Sequence, residues 1–581
     1  MSAVRGSKPG CSSPCFRALL TRLAAPIVAA GLVNPIATAD PADAAGLVPA
    51  DVSLFVCVEH PSRLRHEPVG RLALALIDGV AGYTNTLTSW NTLASDLGWT
   101  PAEAFHELLG ERVVFAARPA PLPEALPPPG KDGGAVRVGV NTGPIGPWLL
   151  ASDISKSAAR RLTERLRPMP RQIIAGTPLL SIEDGRFQLA LVPQDARDGF
   201  VLLLAEASRA ELLEAAVRDA AAPKDALSGD PAWPEVRAAL TPDAHAIVFA
   251  RFPPPVSQPG GAGAASEKGW IGVALQTEGE SIKVRTISTG PGEGAMPDPR
   301  RSRSVPLTPW NAEAFERVAA GAVFASVESN TSLTDEGWSP MFAPLAEKLG
   351  LGRTVPGIDL LTGRIATLVL PSESGVCDAA IALESTDAPA LAPHADAMMA
   401  RLLALAASGA SQGGAAAGDP ARADADRAAT LAVPDASQFD FRGEQPGAVR
   451  SINAARLLGE ALASVFKTPP DLNWRYTDAV DAAHPRFGWW TIALGESAGE
   501  SLSKAALTGA QPAIPIPWIS MVSARPAMAV ELLTKAGVPI ARPLEPLAQV
   551  SRITWYTLLG PGERFLGGGR VDLRPPPEPS R

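Results

Sequence analysis

Apolar residues gather in runs of five to seven, each followed by a turn bearing Glu, Asp, Ser or Thr and then by helically spaced residues. WLLASDISKSAARRLTERL (148–166) shows the unit. Its first part clusters apolar residues as a buried or half-buried strand requires. Its second part repeats Ala158, Leu162 and Leu166 at i, i+4 and i+8, on one face of a helix. ITWYTLLGPGERFLGGGRVDL (553–573) reads instead as two strands about a tight turn, a hairpin. Together these patterns predict an α+β fold of mainly antiparallel sheets, with helices packed on one face of each.

The pattern also repeats. LFVCVEHPSRL (54–64) corresponds to VFASVESNTSL (323–333), with Glu59 matched to Glu328. LGERVVFAARP (109–119) aligns with LTGRIATLVLP (361–371) through Arg112/Arg364 and Pro119/Pro371. GFVLLLAEASRAELLEAAV (199–217) follows the pattern of GWWTIALGESAGESLSKAA (488–506), and HAIVFARFP (245–253) that of ISMVSARPA (519–527). The constant order predicts two similar, duplicated lobes. Pro-, Gly- or Ala-rich stretches at 119–135, 253–268, 290–306 and 407–437 are too poor in large apolar residues to bury much surface. The expected organisation is a first lobe at 40–289, a Pro/Arg-rich linker at 290–306, a second lobe at 307–574 and a disordered tail at 575–581.

The first 39 residues differ in kind. They carry Arg5, Lys8, Arg17 and Arg22 without an acid, then an apolar run from Leu23 to Ile36, and end in Ala37-Thr38-Ala39. This is the signature of a cleaved signal peptide, with Asp40 as the mature start. The run holds Pro26 and Pro35 and falls short of the roughly 20 apolar residues of a spanning helix. Export to the periplasm or beyond is therefore expected, with no integral membrane span after cleavage.

Charge and cysteine usage narrow the partners. The formal charge of the chain is −8, and loss of the signal peptide removes four positive charges. So acidic a chain has no electrostatic basis for binding nucleic acid. Cys11 and Cys15 leave with the signal peptide, while Cys57 and Cys377 remain in apolar runs. An oxidising compartment permits a disulfide between them, and buried free thiols are the commoner alternative.

LVPADVSLFVCVEHPSRL (47–64) resembles the opening of a family of exported bacterial proteins of unknown function, in which a Leu-Pro-Ala-Asp-like phrase leads into a strand after the signal peptide. The resemblance implies an envelope protein and carries over no site residues.

One segment imitates an enzyme. TIALGESAG (491–499) sets Gly495, Ser497 and Gly499 between a strand and a helix, as in the nucleophile elbow of serine esterases. That fold needs a histidine after the serine, and no histidine follows Ser497. The nearest, His484, precedes the strand, and the sole Gly-Gly-Gly run lies far downstream at 567–569. Ser208-x-x-Glu211 and Ser497-x-x-Glu500 are matched instead as capping boxes, in which Ser and Glu satisfy free amides at a helix start.

Other candidates are weaker. His106-Glu107 opens like a zinc-protease motif, but position 110 is Gly where the second ligand belongs. His60 and His66 lie in a polar turn and read as solvated, as do Glu59 and Glu328. Trp489 and Trp490 point to opposite faces of one strand, so one is a candidate sugar-stacking surface. Arg300, Arg301 and Arg303 form a basic cluster in the linker.

The resulting expectation is an exported, non-enzymatic envelope protein that binds a protein or glycan partner or serves structurally, with no catalytic, cofactor-binding or metal-binding residues and no cofactor. The alternative is an esterase-like hydrolase using Ser497.

Overall fold

The computed structural model describes residues 44–64, 83–118, 146–182, 185–221, 226–251, 269–289, 310–329, 360–372, 377–400, 450–453, 471–478, 488–507, 518–559 and 564–574, with a few short gaps inside these stretches. The expected signal peptide, the linkers and the tail lie outside these residues, as do His66, His484 and the arginine cluster at 300–303.

The described residues form two compact units, one mainly from the chain before 291 and one from 291–541 and 547–572. In the first, ten strands are β1 (Leu54–Glu59), β2 (Arg112–Ala117), β3 (Trp148–Ser155), β4 (Met169–Ile174), β5 (Thr177–Ile182), β6 (Phe187–Gln194), β7 (Gly199–Glu206), β8 (Ala246–Arg251), β9 (Trp270–Glu278) and β10 (Ser281–Thr289). Their order is β4-β5-β6-β7-β3-β2-β1-β8-β9-β10, every pair antiparallel. The second unit holds β11 (Phe324–Ser329), β12 (Leu361–Pro371), β13 (Cys377–Ser385), β14 (Arg450–Asn453), β15 (Asp471–Asp478), β16 (Gly488–Leu494), β17 (Trp518–Ala524), β18 (Val550–Leu559) and β19 (Arg564–Leu573). There the order is β14-β15-β16-β13-β12-β11-β17-β18, again antiparallel.

The expectation of two duplicated lobes, each a separate sheet with helices on one face, is corrected. In both units antiparallel strands dominate, beside which nine α-helices, among the described residues, are a minor component. The alternation of apolar and polar side chains reveals which face of a strand is buried. Where a sheet stops depends on backbone N–H and C=O groups, which every residue offers alike.

Position in the sheet explains each strand's composition. β1 lies between β2 and β8 and is buried on both faces, so it reads as the continuous apolar run LFVCVE. Phe55 of β1 and Phe249 of β8 meet Trp233 edge-on, at 5.2 and 6.1 Å between ring centroids. β4, at the end of the order, is exposed along most of its length and contains Pro170, which a central strand would reject. The helix after β3 starts at Lys156, with the Ser155 side chain accepting from the Ala158 amide, and it buries Ala158, Ala159 and Leu162 as the spacing requires. A capping box occurs at Thr100 and Glu103, where the motif Thr-Pro-Ala-Glu went unread in the sequence.

The turn between β4 and β5 has two residues, Ala175 and Gly176, both with positive φ (47° and 81°). That is the type I′ hairpin turn, which favours Asn-Gly because alanine's Cβ is crowded in the left-handed region. Ala175→Asn is expected to raise stability by about 0.5–1 kcal/mol, read as a higher urea midpoint at unchanged slope. A lower midpoint would contradict the turn geometry.

Candidate functional site

The enzyme-like turn is built from β16, the helix Ser497–Lys504 and the neighbouring strand β13. Ser497 is exposed at the first residue of the helix, and the cap position is Glu496, whose side chain makes no capping bond. The capping-box reading of Ser497 is thus corrected: the Ser497 amide donates to Asp378 Oδ2, 3.3 Å away, so a carboxylate from β13 does the capping. A negative charge there also complements the positive end of the helix dipole. Ser208 departs in the same way. It lies within the 3₁₀ turn Ala207–Arg209, ahead of the helix Glu211–Ala221, and the cap of that turn, Glu206, likewise makes no side-chain capping bond.

This arrangement accounts for both glycines. Gly495 has φ +84°, and a Cβ on it would come within 2.4 Å of the Asp378 carboxylate. A Cβ on Gly499 would sit 2.8 Å from Ala493 Cβ and 3.2 Å from Arg475 Nη2, where the helix lies closest to the sheet. The Gly-Gly-Gly run has an equally structural explanation. Gly568 and Gly569 of β19 leave room for the rings of Tyr556 and Trp555 of β18.

The other notable constellation was not foreseen. Four charged or ionisable residues form a row across adjacent strands of the first unit. Glu59 on β1 is in register with Arg112 on β2. The next register position places Arg112 opposite Asp153 on β3. On the other side, the Glu59 amide donates to the carbonyl of His245, just before β8. All four are buried. Arg112 Nη2 lies 3.1 Å from Asp153 Oδ1 and 3.0 Å from Oδ2, and Gln194 Nε2 donates to the same carboxylate at 2.8 Å. The Thr277 amide donates to His245 Nδ1 at 3.3 Å. The expectation of a solvated Glu59 is therefore wrong.

The second unit repeats part of this row. Arg364 on β12 is buried against Glu384 on β13, 3.6 Å away, and Thr362 donates to Glu384 at 2.8 Å. Here the residue in register with the arginine is Ser329, and the matched Glu328 is exposed on the opposite face. A one-residue offset along a strand reverses the face, which is why matching Glu59 to Glu328 by sequence misplaced the pair. Trp310 fills the space, its ring 5.0 Å from the Arg364 guanidinium and its Nε1 donating to Ser329 Oγ.

Electrostatics follow the partner count. Burial works against the charge of Arg112, yet Asp153 and then Glu59 outweigh it and hold the guanidinium pKa above its usual value. Burial of Arg364 is offset only in part by Glu384, and its pKa is lowered. Cys57 Sγ lies 3.5 Å from Glu59 Oε1; burial, reinforced by that carboxylate, pushes its thiol well up. Cys377 is raised as well, by burial and then by Asp378. Both are free thiols, and an elevated pKa makes them poor nucleophiles.

The remaining candidates take structural places. Trp489 and Trp490 are 9 % and 2 % exposed in separate clusters, the former 5.9 Å from Trp310, so neither presents a sugar-stacking face. His106 is exposed on the helix Pro101–Leu109. Gly110 ends that helix, where a Cβ would strike the His106 carbonyl at 2.0 Å. His60 takes a positive φ of 49° and approaches Glu111 at 3.4 Å. Among the described residues no group of three or more His, Cys, Asp or Glu side chains is placed to hold a metal ion.

Two outcomes are expected. Asp153→Ala leaves Arg112 buried without its main partner and should cost about 3–5 kcal/mol, measured by chemical denaturation. Gly495→Ala should cost about 1–2 kcal/mol from the left-handed φ alone, more with the Asp378 clash. A neutral Gly495→Ala variant would show that the turn is not built this way. Comparison of the chain with protein-family models, with curated proteins and with solved structures finds no match.

Proposed function

We propose that this chain is an exported envelope protein that acts by binding a partner or by serving structurally, without catalysing a reaction. The observation that carries this reading is the Gly-Glu-Ser-Ala-Gly turn. Each position that makes it look catalytic has a packing role: Gly495 beside Asp378, the Ser497 amide capped by that carboxylate, and Gly499 against Ala493. No histidine follows Ser497 in the chain to serve as base in esterase order. Export is supported by the basic, apolar and Ala-Thr-Ala sequence of the first 39 residues and by the resemblance of 47–64 to exported proteins. No helix among the described residues is long and apolar enough to cross a membrane.

Treatment of the purified protein with a fluorophosphonate probe decides between binding and hydrolysis. The expected result is no labelling of the wild type. Labelling that disappears in Ser497→Ala would overturn the proposal in favour of a serine hydrolase.

A further inference from the structure

The two buried arginines share a detail that their ion pairs do not explain. Arg112 and Arg364 are 5 % and 4 % exposed. Each keeps one guanidinium nitrogen, Nη1 of Arg112 and Nε of Arg364, buried and without a hydrogen-bond partner among the described residues. A buried N–H left in this state forfeits the hydrogen bond it made to water in the unfolded chain. Folded proteins satisfy such groups with a protein acceptor or with an ordered internal water.

The geometry of each row shows why a donor is left over. Arg112 meets Asp153 through Nη2 alone, which contacts both carboxylate oxygens, so Nη1 takes no part in that pair. Glu59 stands in register on the other side, yet it acts on Arg112 by through-space attraction, whereas Asp153 acts through a hydrogen bond as well. An acceptor therefore borders the unused donor without bonding it directly, and one water molecule spans a gap of that kind. In the second unit Arg364 approaches Glu384 through Nη1, and Ser329, in register with the arginine, accepts from Trp310 Nε1. A serine hydroxyl that has accepted one hydrogen bond still has a second lone pair and its own proton.

The charges select the occupant. It must accept from an arginine N–H, which excludes a metal cation. In the first row it also lies beside Glu59 and Asp153, two acids to one arginine. His245 adds no charge, because its Nδ1 accepts from the Thr277 amide. A further anion is therefore disfavoured. Water accepts from the guanidinium and donates to the carboxylate, and so suits both neighbours.

We infer that each row encloses one ordered water, bound between Arg112 Nη1 and the Glu59 carboxylate in the first unit and between Arg364 Nε and Ser329 Oγ in the second. The strands on either side are then joined by a hydrogen-bonded bridge in addition to their backbone ladder. This site is independent of whether Ser497 reacts.

High-resolution crystal structures of the wild type, Glu59→Gln and Glu59→Met test this, with crystals of the wild type also grown in bromide. The wild type should show one spherical density peak about 2.7–3.2 Å from both Arg112 Nη1 and a Glu59 oxygen. A second should lie at the same distances from Arg364 Nε and Ser329 Oγ. Glu59→Gln keeps an acceptor oxygen and should retain the first peak; Glu59→Met should lose it. The second peak should persist in both variants and serves as the control for an intact fold. If Glu59→Met fails to fold, the wild type and Glu59→Gln still decide. The proposal is overturned by a wild-type structure lacking either peak or showing Arg112 bonded directly to Glu59. It is equally overturned by a first peak that survives Glu59→Met, or by an anomalous bromide signal at either position, which would make the occupant an anion.

Discussion

The central sheet is organised by the need to neutralise charge inside it. Glu59, Arg112 and Asp153 are buried on three neighbouring strands, and His245 borders them just before a fourth. An isolated buried charge is too costly to keep, so each must face its partner across the strand gap. Sliding β2 by one residue would turn Arg112 to the other face and leave two carboxylates without it. The row therefore fixes the register of the strands around β1, which their uniformly apolar sequences would leave loosely specified. In the second unit, Arg364 and Glu384 impose the same requirement on β12 and β13.

Small changes at that row alter its chemistry. Where the first unit has a carboxylate in register with the arginine, the second has Ser329, and Trp310 packs over the guanidinium. With two acids beside it Arg112 is held more firmly charged than usual, whereas Arg364, with one, is less so. The same local logic governs the turn after β16. A carboxylate from a neighbouring strand occupies the place an N-cap side chain would take, and the glycines give it room. A turn can thus resemble a nucleophile elbow because backbone geometry, and not catalysis, demands small residues in the same positions.

Much of the local structure was legible. The strand-to-helix unit at 148–166 was visible because Trp148–Ala151 is apolar and Ala158 and Leu162 share a helical face. The burial of Glu59, Arg112 and Asp153 was not, since a charged residue at the end of an apolar run looks the same whether it meets solvent or a partner on another strand. Asp378 as the cap for Ser497 was equally hidden, because 119 positions separate them. The capping box at Thr100 could have been read from Thr-Pro-Ala-Glu alone.

What residue order alone established is local: which runs make strands, which faces are apolar, where helices begin, and that the one enzyme-like motif lacks a histidine downstream. These depend on neighbours a few positions apart, whose spacing the backbone dictates. The order of the strands within each unit, the buried charge row and the cap supplied by Asp378 were decided by tertiary structure. Each rests on pairing between distant segments, and backbone hydrogen bonding is too uniform from residue to residue to announce its partner in advance.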